Sequence, residues 1–224
     1  MDGRWMTVML VIIVSNGCSA VVDQNQLAQL MKGITHHYSI RGMYSLALSI
    51  KSEDPVNLQN IFQCNPKEEV QRVISDEQVY RGYRLSVAQV KKPEHAEYRL
   101  LNGLQLDSQD GDLLVLFSYA SPCPSTCTNS RNRYNIFNLI GNLINSGRWS
   151  KHVFVFEKIF KPQNSQGINK SKLIQAIVKL GNSGIGLENI YRCYKPQTPN
   201  SNFQCTSCSV GGVVANECVN YNAK

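Results

Sequence analysis

Apolar residues recur along this chain in two periods that take turns. Asp23–Tyr38 carries Leu27, Leu30, Met31 and Ile34 at helical spacing, with Asp23 placed to cap the start. Met43–Ile50 alternates and predicts a strand, and the region around Val79–Val90 predicts another. The stretch between them is polar and holds Pro55 and Pro66. Glu94–Leu104 puts Ala96, Leu100, Leu101 and Leu104 on one side of a helix. An Asp110-Gly111-Asp112 turn then leads into Leu113–Tyr119, apolar enough to be a buried strand, as is Val153–Phe156. Arg133–Ile144 returns to helical period, with Gly147 beyond its end, and Lys172–Leu180 predicts a helix stopped by Gly181. Gly186–Tyr191 reads as a short strand. Strands alternating with helices predict an α/β layer sandwich. From Cys193 onward Pro, Asn, Ser and four cysteines take over, which predicts a disulfide-tied C-terminal extension over 193–224.

The N-terminus changes the picture of the compartment. Arg4 precedes a short apolar run, Thr7–Val14, and a small polar segment that ends in Cys18-Ser19-Ala20. This is the form of a secretory signal peptide over 1–20, cleaved before Val21. Its apolar run is far short of the ~20 residues that span a bilayer. No later stretch is long and apolar enough to span, so a soluble, secreted protein without stable membrane insertion is expected, its main domain covering 21–192. Of 8 cysteines, the mature chain keeps Cys64, Cys123, Cys127, Cys193, Cys205, Cys208 and Cys218, an odd set that cannot all pair. With 42% hydrophobic and 17% charged residues, disorder and low-complexity classes are excluded.

One constellation carries chemistry. His95-Ala96-Glu97 opens a helix, and Pro122-Cys123-Pro124-Ser125-Thr126-Cys127 follows a buried strand. An imidazole and two thiolates are three good zinc ligands and leave a fourth position for water. Two cysteines on the first turn of a helix would point their sulfurs the same way. Glu97, two residues from His95, suits proton transfer rather than ligation. The competing reading is a Cys123–Cys127 disulfide, with His95 and Glu97 on a solvated helix start.

H-x-E followed by P-C…C is the signature of zinc-dependent nucleobase deaminases. In HAEYRLL and SYASPCPSTC the chain resembles that superfamily, over roughly residues 23–191. Among its branches the chain looks most like the AID/APOBEC-type deaminases and their secreted fish-type relatives. The resemblance implies a cytidine deaminase-like three-layer sandwich: a central mixed five-stranded sheet with helices on both faces. It implies zinc on His95, Cys123 and Cys127, and Glu97 as the proton carrier. It also implies that the Ala96 amide and the Ser121 carbonyl hold the edges of the base. Three residues separate the cysteines here rather than two. Tyr119-Ala120-Ser121 stands where polynucleotide deaminases often carry Ser-Trp-Ser, which makes Tyr119 a candidate pocket residue.

Charge bears on the substrate. The window Cys123–Lys172 holds eight bases and one acid, the whole net charge of +7. In related polynucleotide deaminases the loop after the fourth strand lines the substrate groove, and Phe160 falls near its stacking aromatic. A basic, aromatic-tipped groove suits single-stranded nucleic acid, and a solvated basic face is the plainer alternative. The expected activity is conversion of cytosine to uracil in single-stranded DNA or RNA, with host defence following by resemblance. A deaminase of free nucleosides or nucleotides and an inactive zinc-stabilised binder of extracellular nucleic acid are the alternatives. Asn132, Asn135, Asn138, Asn142 and Asn145 read as a solvent-facing stripe on the helix after Cys127. Asn169-Lys170-Ser171 is a glycosylation sequon. Cys64, Cys193, Cys205, Cys208 and Cys218 are left for disulfides, with Cys64 a candidate partner for a tail cysteine.

Overall fold

A computed structural model of the chain describes residues 22–163, 165–196 and 201–222. The expected signal peptide lies outside the described residues. The chain runs through α1 (Gln24–Tyr38), β1 (Tyr44–Lys51), α2 (Gln59–Cys64), α3 (Lys67–Ser75), β2 (Tyr80–Gly82), β3 (Leu85–Gln89) and α4 (Ala96–Leu101). It continues through β4 (Asp112–Ala120), α5 (Phe137–Ser146), β5 (Trp149–Lys158), α6 (Lys170–Leu180), β6 (Ile190–Tyr194) and β7 (Gln204–Ser207). A small hairpin of β8 (Ser209–Val210) and β9 (Val213–Val214) follows.

The main sheet has 7 strands in the order β2-β3-β1-β4-β5-β6-β7. Strands β4, β5 and β6 are parallel, and the outer pairs are antiparallel. Two strands therefore exceed the expected five. The Val79–Val90 region breaks into a hairpin at Tyr83–Arg84, where Arg84 takes φ 55°. The tail supplies the other: Cys193 bonds Cys205, which stitches β7 onto β6. The tail boundary expected at 192/193 thus falls inside β6.

Each face of the sheet carries its own apolar layer. Leu27, Leu30, Met31 and Ile34 of α1 pack with Val70 and Ile74 of α3 against Leu46, Leu48, Val115 and Phe117. On the other face Leu100, Ile140, Leu143, Leu173 and Ile177 of α4, α5 and α6 pack against Ala47, Leu114, Leu116, Phe154 and Phe156. Alternation along β1 and β4 sends successive side chains to opposite layers. At about 25 cal/mol per Å² of apolar surface, these two layers supply most of the drive to fold.

Local chemistry sets the helix ends. Asp23 caps α1 by accepting from Gln26 N at 2.8 Å, as its sequence position predicts. Asn169 caps α6 in the same way, accepting from Ser171 N at 2.8 Å. The polar stretch holds two helices that its hydrophobic pattern does not announce. Pro66 stands before the first turn of α3, Glu68 and Glu69 lie in that turn, and only Val70 and Ile74 are buried.

Candidate metal centre

The carboxyl end of β4 and the start of α4 meet on the α4 side of the sheet. The strand residues under α4 include Ser45, Ala47 and Ala88, all small and buried, which lets the helix lie close. His95 stands at the N-cap of α4, yet its ring makes no cap hydrogen bond. It turns instead to Cys127, with Nδ1 3.3 Å from Sγ. Glu97, only 6% exposed, points into the same space. Ligand atoms of His95, Glu97 and Cys127 all lie within 4.8 Å of one another.

The cysteines reach this place without a helix. Residues 121–136 form a run of turns, and α5 starts at Phe137 rather than at the predicted Arg133. The reason is local competition for backbone N–H groups. Asn129 Oδ1 accepts from Arg131 N at 3.1 Å, Asn132 Oδ1 from Tyr134 N at 2.9 Å, and Asn135 Oδ1 from Phe137 N at 3.4 Å. Asn132 and Asn135 therefore build turns instead of belonging to a solvent-facing helical stripe. Ile136 N donates to Cys127 O at 3.0 Å and closes the loop onto the site.

Cys123 and Cys127 are both free and buried, so the disulfide reading does not hold, and Glu97 is not on a solvated helix start. Cys123 lies outside the 4.8 Å group, with Sγ 3.0 Å from Ser125 Oγ. Cys64 is free and exposed rather than paired with the tail. Cys193–Cys205 and Cys208–Cys218 are the disulfides, each closing a loop of about a dozen residues, worth about 3 kcal/mol in the chain-entropy account.

Burial dominates the electrostatics. It pushes the Glu97 carboxyl above its ordinary value, against opposing pulls from its own backbone N–H, His95 and the Ser118 hydroxyl. It pushes the Cys127 thiol well above the usual thiol value, and the neighbouring Glu97 adds to the shift. A buried carboxylate and a buried thiolate at this spacing are costly together, and a cation joining them would relieve that cost. Zinc bonds of about 2.05 Å to nitrogen and 2.3 Å to sulfur, at the tetrahedral angle, separate the two atoms by about 3.5 Å. The His95–Cys127 distance of 3.3 Å fits that edge.

The other candidates fall at different distances. Ala96 is buried beside His95 at the start of α4. Ser121 is buried; its N donates to Lys158 O at 2.8 Å, and its Oγ accepts from Phe160 N at 2.9 Å. That contact brings the Phe160 ring to 6.3 Å from the His95 ring. Tyr119 is not brought to the cluster. It packs on the α1 side of the sheet, with its ring 6.0 Å from that of Tyr44. Asn169 is exposed at the start of α6.

Several contacts near the site escape a sequence reading. Ser118 Oγ donates to Glu97 Oε1 at 2.9 Å, and Ser45 Oγ donates to Ser118 Oγ at 3.2 Å. Tyr221 of the tail donates to Phe160 O at 2.7 Å and so ties the tail to the Phe160 loop. Tyr134 meets Tyr98 edge-on at 5.1 Å, and the Arg133 guanidinium lies 4.5 Å from the Tyr134 ring centre. Only the charge of Arg133 was visible along the chain; the contacts depend on the loop's path.

A mixed sheet between two helical layers, with a His-x-Glu helix start facing a cysteine turn, defines a deaminase-like fold. The family model described as Secreted Novel AID/APOBEC-like Deaminase 1 matches residues 24–222, and the chain belongs to that family. Its matched span includes the disulfide-bonded tail. No curated protein and no solved structure matches the chain. Among the described residues no helix is long and apolar enough to cross a membrane.

Proposed function

We propose that the protein is a secreted, zinc-dependent hydrolytic deaminase that converts cytosine to uracil in single-stranded DNA or RNA. The observation that carries this reading is the convergence of His95, Glu97 and Cys127 at the end of β4, in a chain of a deaminase family. His95, Cys123 and Cys127 would hold the metal. Bound zinc supplies a Lewis acid that makes water nucleophilic at neutral pH. Glu97 takes the proton released by the attacking water and delivers it to the base, so that the amino group leaves as ammonia. The Ala96 amide and the Ser121 carbonyl orient the base edge, and Phe160 flanks it.

Two features favour a polynucleotide over a free nucleoside. Arg133 is held over Tyr134 on the loop that follows Cys127, beside Tyr98 of the His-x-Glu helix. A surface pocket of about 260 Å³ backs the cysteine turn, lined by Ser125, Thr128, Lys172, Gln175 and Lys179 without an acidic residue. Cations around an aromatic-flanked site suit a single strand. Foreign extracellular nucleic acid is the target that fits a secreted enzyme, and Asn169 is its glycosylation site.

The test is deamination of cytosine and adenine, each as free nucleoside and within a single strand, by the wild-type chain and Glu97→Gln. The expected result is uracil formation in the strand, reduced about 10³-fold in the variant with metal retained. Equal turnover by both proteins would remove Glu97 from the chemistry. Turnover of the nucleoside alone, insensitive to salt, would reassign the substrate.

A further inference from the structure

Glu97 stands close enough to His95 and Cys127 to be a metal ligand itself, although proton transfer requires its carboxylate to stay off the metal. What lies behind it bears on that choice. Ser118 and Ser45 are 2% and 1% exposed and lie beside Ala47, Ala88 and Leu116 on the face of the sheet under α4. They face each other directly across the β1–β4 ladder. A carboxylate only accepts, so the Ser118 proton is committed to Glu97 Oε1 at 2.9 Å. Ser45 must then supply the proton to Ser118 Oγ at 3.2 Å. The two hydroxyls form a one-way chain that ends on one oxygen of Glu97.

A buried hydroxyl adds little net stability even when bonded, and alanine would fit the same small-residue surface beneath α4. The pair is therefore poorly explained by packing. It is well explained by the carboxylate, one oxygen of which, Oε1, it holds by a hydrogen bond from the strand beneath.

We infer that Ser118, backed by Ser45, is a positioning residue that holds Glu97 as a proton carrier and keeps it from ligating the metal. The inference rests on the metal-site reading above. Without Ser118 the carboxylate would be free to turn onto a bound metal as an added ligand.

The experiment compares the full chain and Ser118→Ala, each loaded with cobalt(II) in place of zinc, with Ser45→Ala as a milder variant. The visible absorption of cobalt weakens when four-coordination gives way to five. Ser118→Ala is expected to weaken that band and to lower kcat about 10²-fold at nearly unchanged KM, with Ser45→Ala between it and the parent. Identical bands and identical kcat in parent and Ser118→Ala would overturn the inference and leave the metal site standing. A weakened band in Ser118→Ala, from a parent that deaminates nothing, would support the positioning role and remove the enzyme reading. No cobalt band in the parent would overturn both.

Discussion

Strand β4 carries a buried polar cluster at each end, and the two are built on opposite principles. At its start, Asp112 Oδ2 accepts from Arg84 Nη1 at 2.8 Å, from Gln109 N at 2.7 Å and from Ser49 Oγ at 3.1 Å. Trp149 Nε1 donates to that same Ser49 oxygen at 3.2 Å. Anion and cation are both present, and the surrounding donors are used. At the other end Glu97, His95 and Cys127 converge, and the Glu97 carboxyl is met by the Ser118 hydroxyl, its own backbone N–H and the Cys127 thiol, with no guanidinium or ammonium of the described residues beside them. The first cluster is complete as it stands and serves the fold. The second has the donor atoms of a site and no cation of its own among the described residues. Burial alone does not mark function; an uncompensated set of buried donors does.

The comparison can be broken at the first cluster. Asp112→Ala strands a buried guanidinium and is expected to cost about 3–5 kcal/mol of stability, while metal content stays at the wild-type level. Replacing both charges, Arg84→Met with Asp112→Leu, is expected to recover most of that loss. Urea unfolding with metal analysis checks both. A fall in metal content at unchanged stability would mean that the two ends are not separate.

A smaller effect sharpens the contrast through pH. Burial raises the Glu97 carboxyl above its ordinary 4.5 in the folded chain. Between that value and the raised one, the metal-free folded state holds a proton that the unfolded state has lost. Stability of the stripped protein is then fully present below the ordinary value and declines as pH rises through the raised one. The limit is about 1.4 kcal/mol per pH unit for one proton. Glu97→Gln removes that component, and restoring zinc flattens it. Chemical denaturation across pH, with and without chelator, reads the difference; a stripped wild type that tracks Glu97→Gln at every pH would contradict it.

The smallest effect concerns the rim. Arg133→Ala is expected to weaken binding of a single-stranded oligonucleotide about threefold and to reduce the slope of log affinity against log salt by about 0.7, one phosphate contact. Fluorescence anisotropy over a salt series measures both. An unchanged slope would place Arg133 outside the strand's path.

Much of this was legible in the sequence. The α1 cap and the strands β1, β4 and β5 depend on near neighbours along the chain, and HAE and PCPSTC are each short local motifs whose order the resemblance supplies. The cysteine turn was misread as a helix start because the apolar spacing of Ile136–Ile144 hides the asparagines at 129, 132 and 135, whose side chains claim the backbone donors first. The Ser45–Ser118–Glu97 chain depends on the register of two strands far apart in sequence, which hydrophobic pattern does not encode. Tyr119 looked like part of the pocket by its place beside Ser121, but strand alternation turned it to the other face. The seventh strand required the Cys193–Cys205 bond, and five leftover cysteines allow several pairings.

The central claim is that the cluster at the carboxyl end of β4 is a metal site. Elemental analysis of the purified, secreted protein, with thiol mapping of Cys123 and Cys127, tests it most directly. The account predicts about one zinc per chain, lost in His95→Ala and Cys127→Ser and retained in Asp112→Ala. A chain without zinc, with Cys123 and Cys127 joined as a disulfide, would contradict it.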